Sequence, residues 1–215
     1  MFDLHTHSLL SDGELLPSEL ARRFEDKGYK AIAITDHVDV SNIKMVVPAI
    51  VEFCKKWPKN RIKVLAGIEL THIPFEHFAP LINYARKKGI KIIVAHGQTI
   101  SEPVISGTNA LALHNDIDIL AHPGYITKEE VLLAKQKNIF LEITFRSSHS
   151  LTNQHVLKLA RDCGAKLILN SDSHECEDIL SLDQRSSNCL KLGLAIDEIR
   201  KIEQDTAEFI STFKD

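Results

Sequence analysis

Lys30-Ala31-Ile32-Ala33-Ile34-Thr35-Asp36-His37 is the stretch on which the fold turns. Its apolar centre does not alternate with polar residues, as expected for a parallel strand covered on both faces. It then ends in a carboxylate and an imidazole. The pattern recurs outward in both directions. Residues 2–4, 63–70, 91–95, 117–121, 139–144 and 167–170 are short, apolar and β-rich, which with 30–35 makes seven strands.

Helical spacing fills the gaps. Residues 17–27 open on Pro17 and stop before Gly28, and 74–88 (or 76–88) stop before Gly89. Residues 128–137 follow Thr127 as a cap, and 151–163 follow Ser150 and stop before Gly164. A helix opening at Pro48 and running to Lys56, a short one over 108–115, and two closing helices over 183–192 and 196–213 complete the reading.

Strict alternation of strand and helix implies a parallel sheet with right-handed crossovers, either open or closed into a barrel. The glycine-rich phosphate turn of nucleotide-binding open sheets is missing after the first strand, where Ser11-Asp12-Gly13 stands instead. Polar groups at nearly every strand end favour the barrel, which collects its chemistry at the carboxyl-end face. The expected fold is therefore α/β, a distorted (β/α)7 TIM-like barrel with a metal site at that face, and one domain over 1–215.

Composition bounds the function. The chain has 215 residues, 44% hydrophobic and 26% charged, ordinary for a globular protein with a full core. Its net charge of −3 argues against a general grip on nucleic acid. No cationic stretch precedes a long apolar run, so no signal peptide and no membrane partner are expected. Cys54, Cys163, Cys176 and Cys189 form no C-x-x-C pair and read as reduced thiols of a cytoplasmic protein.

The strand ends carry the chemistry. The first ends in His5-Thr6-His7, whose two imidazoles, two apart on a strand, face one point. The others end in Thr35-Asp36-His37, Glu69, His96-Gly97, His122-Pro123-Gly124, Glu142-Ile-Thr-Phe-Arg146 and Asn170-Ser171-Asp172-Ser173-His174. A single histidine there more often hydrogen-bonds a carbonyl, and Asp172 alone could cap a helix. Six strand ends delivering His, Asp or Glu to one mouth is a joint signal for divalent metal.

His5-x-His7 with Ser11-Asp12-Gly13, Thr35-Asp36-His37, Glu69, His96, Ala121-His122-Pro123 and Ser171-Asp172-Ser173-His174 resemble, in order, the motifs of the polymerase and histidinol phosphatase (PHP) family. The resemblance spans residues 3–174. It implies a distorted (β/α)7 barrel with two or three divalent ions. By the resemblance His5, His7, Glu69 and Asp172 hold one ion; Glu69 bridges to a second on His96 and His122; Asp12, His37 and His174 serve a third. Zn, Mn and Fe all suit such ligands. Asp36 is expected to support the ligands or start a helix.

Three such ions against Asp12, Glu69 and Asp172 leave a surplus of about +3, which attracts an anion. The reaction expected is in-line hydrolysis of a phosphate monoester by a hydroxide on the ions held by Glu69, His96 and Asp172, without a covalent intermediate. Two loops suit the substrate. Ser106, Thr108 and Asn109 lie at a helix start that offers backbone N–H groups, or is simply capped. Arg146 has the planar fork for a phosphate, or pairs with Glu142 or Glu102. His149 is a leaving-group acid or a loop hydrogen-bonder, and His72, His77, His114 and His155 are read as outside the site.

The expected substrate is a small phosphorylated metabolite or nucleotide. Alternatives are a phosphodiesterase or nuclease acting on nucleotides or oligonucleotide ends, a metal-dependent amidohydrolase, and a non-catalytic RNA-binding barrel subunit. The amidohydrolase reading suffers because the fourth strand ends in His96 rather than a bridging lysine. The RNA-binding reading suffers from the full ligand set and the acidic balance.

Overall fold

A computed structural model describes residues 1–213. The apolar runs form a parallel sheet of β1 (Phe2–Asp3), β2 (Ala31–Ile34), β3 (His37–Val38), β4 (Lys63–Leu70), β5 (Ile92–His96), β6 (Ile119–Ala121), β7 (Phe140–Thr144) and β8 (Leu167–Asn170). The strands pair in the order β1-β2-β4-β5-β6-β7-β8, with β3 on the outer half of β4. β2 and β3 are one run broken at Thr35-Asp36: β2 pairs with residues 63–66 and β3 with Glu69 and Leu70. The sheet therefore has seven staves, the second interrupted.

Closure is made beyond the ends of β1 and β8. The Asp172 N–H donates to the His5 carbonyl at 3.0 Å and the His7 N–H to the Ser173 carbonyl at 2.9 Å. The Leu4 N–H donates to the Asn170 side chain at 2.8 Å. The result is a nearly closed TIM-like barrel wrapped by α1 (Pro17–Asp26), α2 (Ile43–Lys56), α3 (Phe78–Lys88), α4 (Thr108–His114), α5 (Lys128–Lys137), α6 (Asn153–Cys163), α7 (Leu182–Lys191) and α8 (Ile196–Ser211).

Two cores lie on the two faces of the sheet. Leu20, Phe24, Ile32, Ile34, Val47 and Ile50 belong to the layer between sheet and helices. Ala31, Ala33, Leu65, Ile92, Val94, Phe140 and Ile168 fill the interior, where Ile210 of α8 joins them. The two-residue period of a strand then decides what faces the barrel axis further along. Leu65 leads to Glu69, Ile92 and Val94 to His96, Phe140 to Glu142, and Ile168 to Asn170.

Three helix starts differ from the sequence reading. α2 begins at Ile43, with Pro48 inside it. Its buried face, Ile43, Val46, Val47 and Ile50, runs across the proline, and burial of that stripe outweighs one lost backbone bond. The segments before α3 and α6, Phe75–His77 and Ser150–Thr152, are 3₁₀ turns rather than α-helix. No described helix is long and apolar enough to cross a membrane, and all four cysteines are free.

Arg185 ties the closing helices to the barrel. It is buried, donates to the Leu169 carbonyl at 2.9 Å and to Glu203 at 2.8 Å, and lies 3.8 Å from the buried Asp3 carboxylate. Asp3 in turn accepts from the Ser171 and His5 N–H groups, at 2.9 and 3.3 Å. Arg185→Leu leaves that carboxylate without its cation and is expected to destabilise the fold by about 3–5 kcal/mol, read from urea unfolding midpoints.

Candidate metal centre

Glu142 sets the orientation of the first ligand. Its Oε1 lies 2.7 Å from His5 Nδ1 and accepts from the Asn170 amide at 2.8 Å, while Oε2 accepts from the His122 N–H at 3.1 Å. A carboxylate has no proton to give, so His5 donates from Nδ1 and turns a bare Nε2 inward. That Nε2 is 3.3 Å from Glu69 Oε2 and 3.6 Å from Asp172 Oδ1. His7 Nε2 completes the set, 3.6 Å from Glu69 Oε2 and 3.2 Å from Asp172 Oδ1.

Glu69 divides two groups. His37 Nδ1 lies 2.8 Å from its Oε2, and His122 Nε2 lies 3.6 Å from its Oε1. Asp12 Oδ1 stands 3.5 Å from His37 Nε2 and 3.4 Å from His174 Nε2. His7, Asp12, His37 and His174 bring one ligand atom each within 4.8 Å of one another. Eight of the nine expected ligands thus converge around Glu69 and Asp172. His96 sits beside them, its ring 4.5 Å from that of His122, but its Nε2 faces Glu102 at 3.1 Å.

The backbone is bent to achieve this. His122 and Asp172 have φ of 27° and 55°, a region costly for residues with a β-carbon. Gly124, at φ 63°, turns the chain after His122 where any Cβ would collide with the Gln98 carbonyl. Asp36 anchors the opening loop, accepting from the Ser8 N–H, Ser8 Oγ and Ser11 Oγ, each at 2.7 Å. It is a support rather than a helix start.

The donors fit a cation. His5 Nε2, both ring nitrogens of His7 and both oxygens of Glu69 are buried and make no hydrogen bond within the described chain. Buried polar atoms left this way cost about 1–3 kcal/mol each, more when charged. Burial and the facing His37 and His174 hold His7 well below the usual imidazole range, and burial and His96 do the same to His122. Burial, with the carboxylates of Glu69 and Glu142, pushes Asp172 up to about 7 against the pull of His5. Against burial, the carboxylates of Glu142 and Glu69 push His5 well above the usual imidazole range, and Glu69 and Asp12 push His37 up to about 9. The carboxylates and imidazoles of this pocket thus compete for protons, and a divalent ion satisfies the set in their place.

The mouth has a volume of about 490 Å³ and is lined by Asp12, His37, His96, His122, Asp172 and His174, with Arg146, His149, His72 and Glu102. Arg146 does not pair with Glu142 or Glu102. Its Nη1 donates to the Asp172 carbonyl at 3.2 Å and lies 2.7 Å from His174 Nδ1 and 3.4 Å from Asp178. His149 Nδ1 is 2.9 Å from Thr99 Oγ1, the loop bond, while its ring stacks on His122.

Ser106, Thr108 and Asn109 are placed elsewhere. The Gly107 and Asn109 N–H groups donate to Gln98 Oε1, Thr108 Oγ1 to the Ile105 carbonyl, and the Asn109 amide to the Pro123 carbonyl. The start of α4 is capped from within. Three residues escaped the sequence reading as parts of the site: Glu142, which a carboxylate in an apolar strand signalled; Glu102; and His72, which lines the mouth.

A family model described as the PHP domain matches residues 3–182. The chain belongs to the PHP domain family. Its relatives include an uncharacterised protein of Methanocaldococcus jannaschii, 43% identical over 203 residues and 92% of each chain. A probable phosphatase of Clostridium novyi is 30% identical, over 86% of this chain and 83% of that protein. Ribonuclease P protein component 3 of Methanosarcina barkeri is 27% identical, over 96% and 83%. Histidinol phosphate phosphatase of Lactococcus lactis, solved with zinc, L-histidinol and phosphate, shares the fold at a TM-score of 0.65 and 17% identity, over 90% of this chain and 94% of that one. A chain of archaeal ribonuclease P with mature tRNA shares it at 0.70 and 14%, over 99% and 90%.

If Glu142 orients His5, then Glu142→Gln, which can offer its NH₂ to Nδ1 and so permit the wrong tautomer, lowers metal affinity about 10–100-fold. Competition with a chelating dye measures it.

Proposed function

We propose that this PHP chain is a metal-dependent phosphoesterase that hydrolyses a phosphate monoester at a centre of three divalent ions. The buried donors of His5, His7 and Glu69, which face one another without a hydrogen bond, carry the reading. One ion falls to His5, His7, Glu69 and Asp172, a second to Glu69, His96 and His122, and a third to Asp12, His37 and His174. Zn, Mn and Fe suit this mixture, and zinc in the Lactococcus lactis phosphatase supports the first. Such ions supply Lewis-acid polarisation of a phosphoryl oxygen and a water that ionises near neutral pH.

The chain's own residues do the rest. Glu142 keeps the His5 proton on Nδ1 and so keeps Nε2 bare. Glu69, with an oxygen toward each neighbouring group, fixes their spacing. Arg146 commits Nη1 to the Asp172–His174 turn and keeps Nη2 for a phosphoryl oxygen, as a planar fork allows. His149, braced by Thr99 and stacked on His122, stands where the ester group leaves. A small phosphorylated metabolite fits a mouth of about 490 Å³, and a nucleotide or oligonucleotide end is the next reading.

An RNA-binding, non-catalytic role draws support from the Methanosarcina barkeri relative. The nine histidines and carboxylates at the strand ends, and the net charge of −3, weigh against it. Metal analysis of the purified chain, joined to a phosphate-release screen over phosphorylated metabolites, separates the readings. Bound metal and release are expected, with Asp172→Asn losing more than about 100-fold of the rate, beyond what a supporting residue costs. A metal-free chain that releases nothing, yet shifts RNA in a salt-sensitive way, would replace the proposal with the second reading.

A further inference from the structure

Glu102 and His72 stand outside the nine residues assigned above, yet both line the mouth. Glu102 Oε2 lies 2.8 Å from His72 Nε2 and 3.1 Å from His96 Nε2, and Oε1 lies 3.4 Å from His149 Nε2. Three imidazoles gather on one carboxylate.

The tautomer of His96 gives this meaning. Its Nδ1 lies 3.1 Å from the Gly97 carbonyl, which only accepts, so Nδ1 carries the ring proton. The Nε2 of the neutral ring then points a lone pair at a carboxylate oxygen 3.1 Å away. Two lone pairs at that distance need positive charge between them. A proton supplies it to one ring; a divalent ion supplies it to His96 and His72 together.

A second observation concerns the backbone. His72 has φ 50°, in the left-handed region that residues with a β-carbon avoid. That strain sits where the ring turns toward Glu102. The loop bearing Glu102 is also tied down: Ser101 Oγ donates to the Ser148 carbonyl, and Thr99 Oγ1 is bonded to His149. Glu102 is held over the mouth.

We propose that His72 and Glu102, with His96, are ligands of a divalent cation at the rim of the mouth. Their donor atoms lie within 4.8 Å of one another, the spread expected of ligands about 2.0–2.2 Å from one ion. Two imidazoles and one carboxylate select a borderline transition ion such as zinc over magnesium or calcium, which take oxygen ligands. Because His96 Nε2 serves one ion at a time, an ion here takes the place of the second ion proposed above, with Glu69 and His122 gathering with His5 instead. The inference rests on the mouth being a metal centre.

Zinc titration of the full chain against a chelating dye tests it. Relative to wild type, His72→Ala and Glu102→Gln each weaken one zinc equivalent by more than about 100-fold and leave the others unchanged, with the circular dichroism spectrum preserved. His96→Ala weakens the same equivalent, and adding His72→Ala to it costs little more, since both act on one ion. Unchanged zinc affinities in both His72→Ala and Glu102→Gln would overturn this inference alone. A wild-type chain that binds no zinc, manganese or iron would overturn the reading of the whole mouth.

Discussion

The two backbone hydrogen bonds that close the barrel are made at the candidate metal centre. Asp172 donates to the His5 carbonyl and His7 to the Ser173 carbonyl. Closing the seam between the first and last strands therefore brings His5, His7, Asp172 and His174, more than 160 residues apart in sequence, to one point. A parallel sheet buries both faces, so the groups emerging at its carboxyl ends enter a place with little water. There a carboxylate such as Glu69 needs a cation, and an imidazole needs a partner for each nitrogen.

The supports follow from that constraint. Glu142 serves three strands at once, reaching the His5 ring, the His122 N–H and the Asn170 amide. Asp36 gathers the Ser8–Ser11 loop, and Asp3 steadies the His5 and Ser171 amides with Arg185 behind it. Positive φ at His72, His122 and Asp172 marks where the chain bends sharply at residues that line the mouth. Strain of this kind persists when surrounding bonds over-determine it, as they do here.

Much of this could be read in the linear chain because strands announce themselves by short apolar runs and by what ends them. The residues of Ala31–Ile34, Ile92–His96 and Leu167–Asn170 all took the state their composition dictates. Helix starts were less readable: Pro48 signals a beginning locally, yet the buried stripe of α2 runs through it, and tertiary burial wins over a single breaker. The hydroxyl-rich stretch before α4 suits either a phosphate cradle or a capped helix start, and Gln98 supplies the cap from within the chain. Side-chain capping of that sort depends on a fold-back that spacing does not encode.

By itself the sequence determined the alternation of strand and helix, the parity that sends Glu69 and His96 inward, and the donor types gathered at one face. Those depend on local periodicity, which is written residue by residue. Only the tertiary structure decided which nitrogen of the His5 and His96 rings is bare, that Arg146 is tied to the Asp172–His174 turn, and that Glu102 and His72 reach His96 from other loops. Those outcomes hang on distances of about 3 Å between segments remote in the chain, where one turn or one competing hydrogen bond changes the partner.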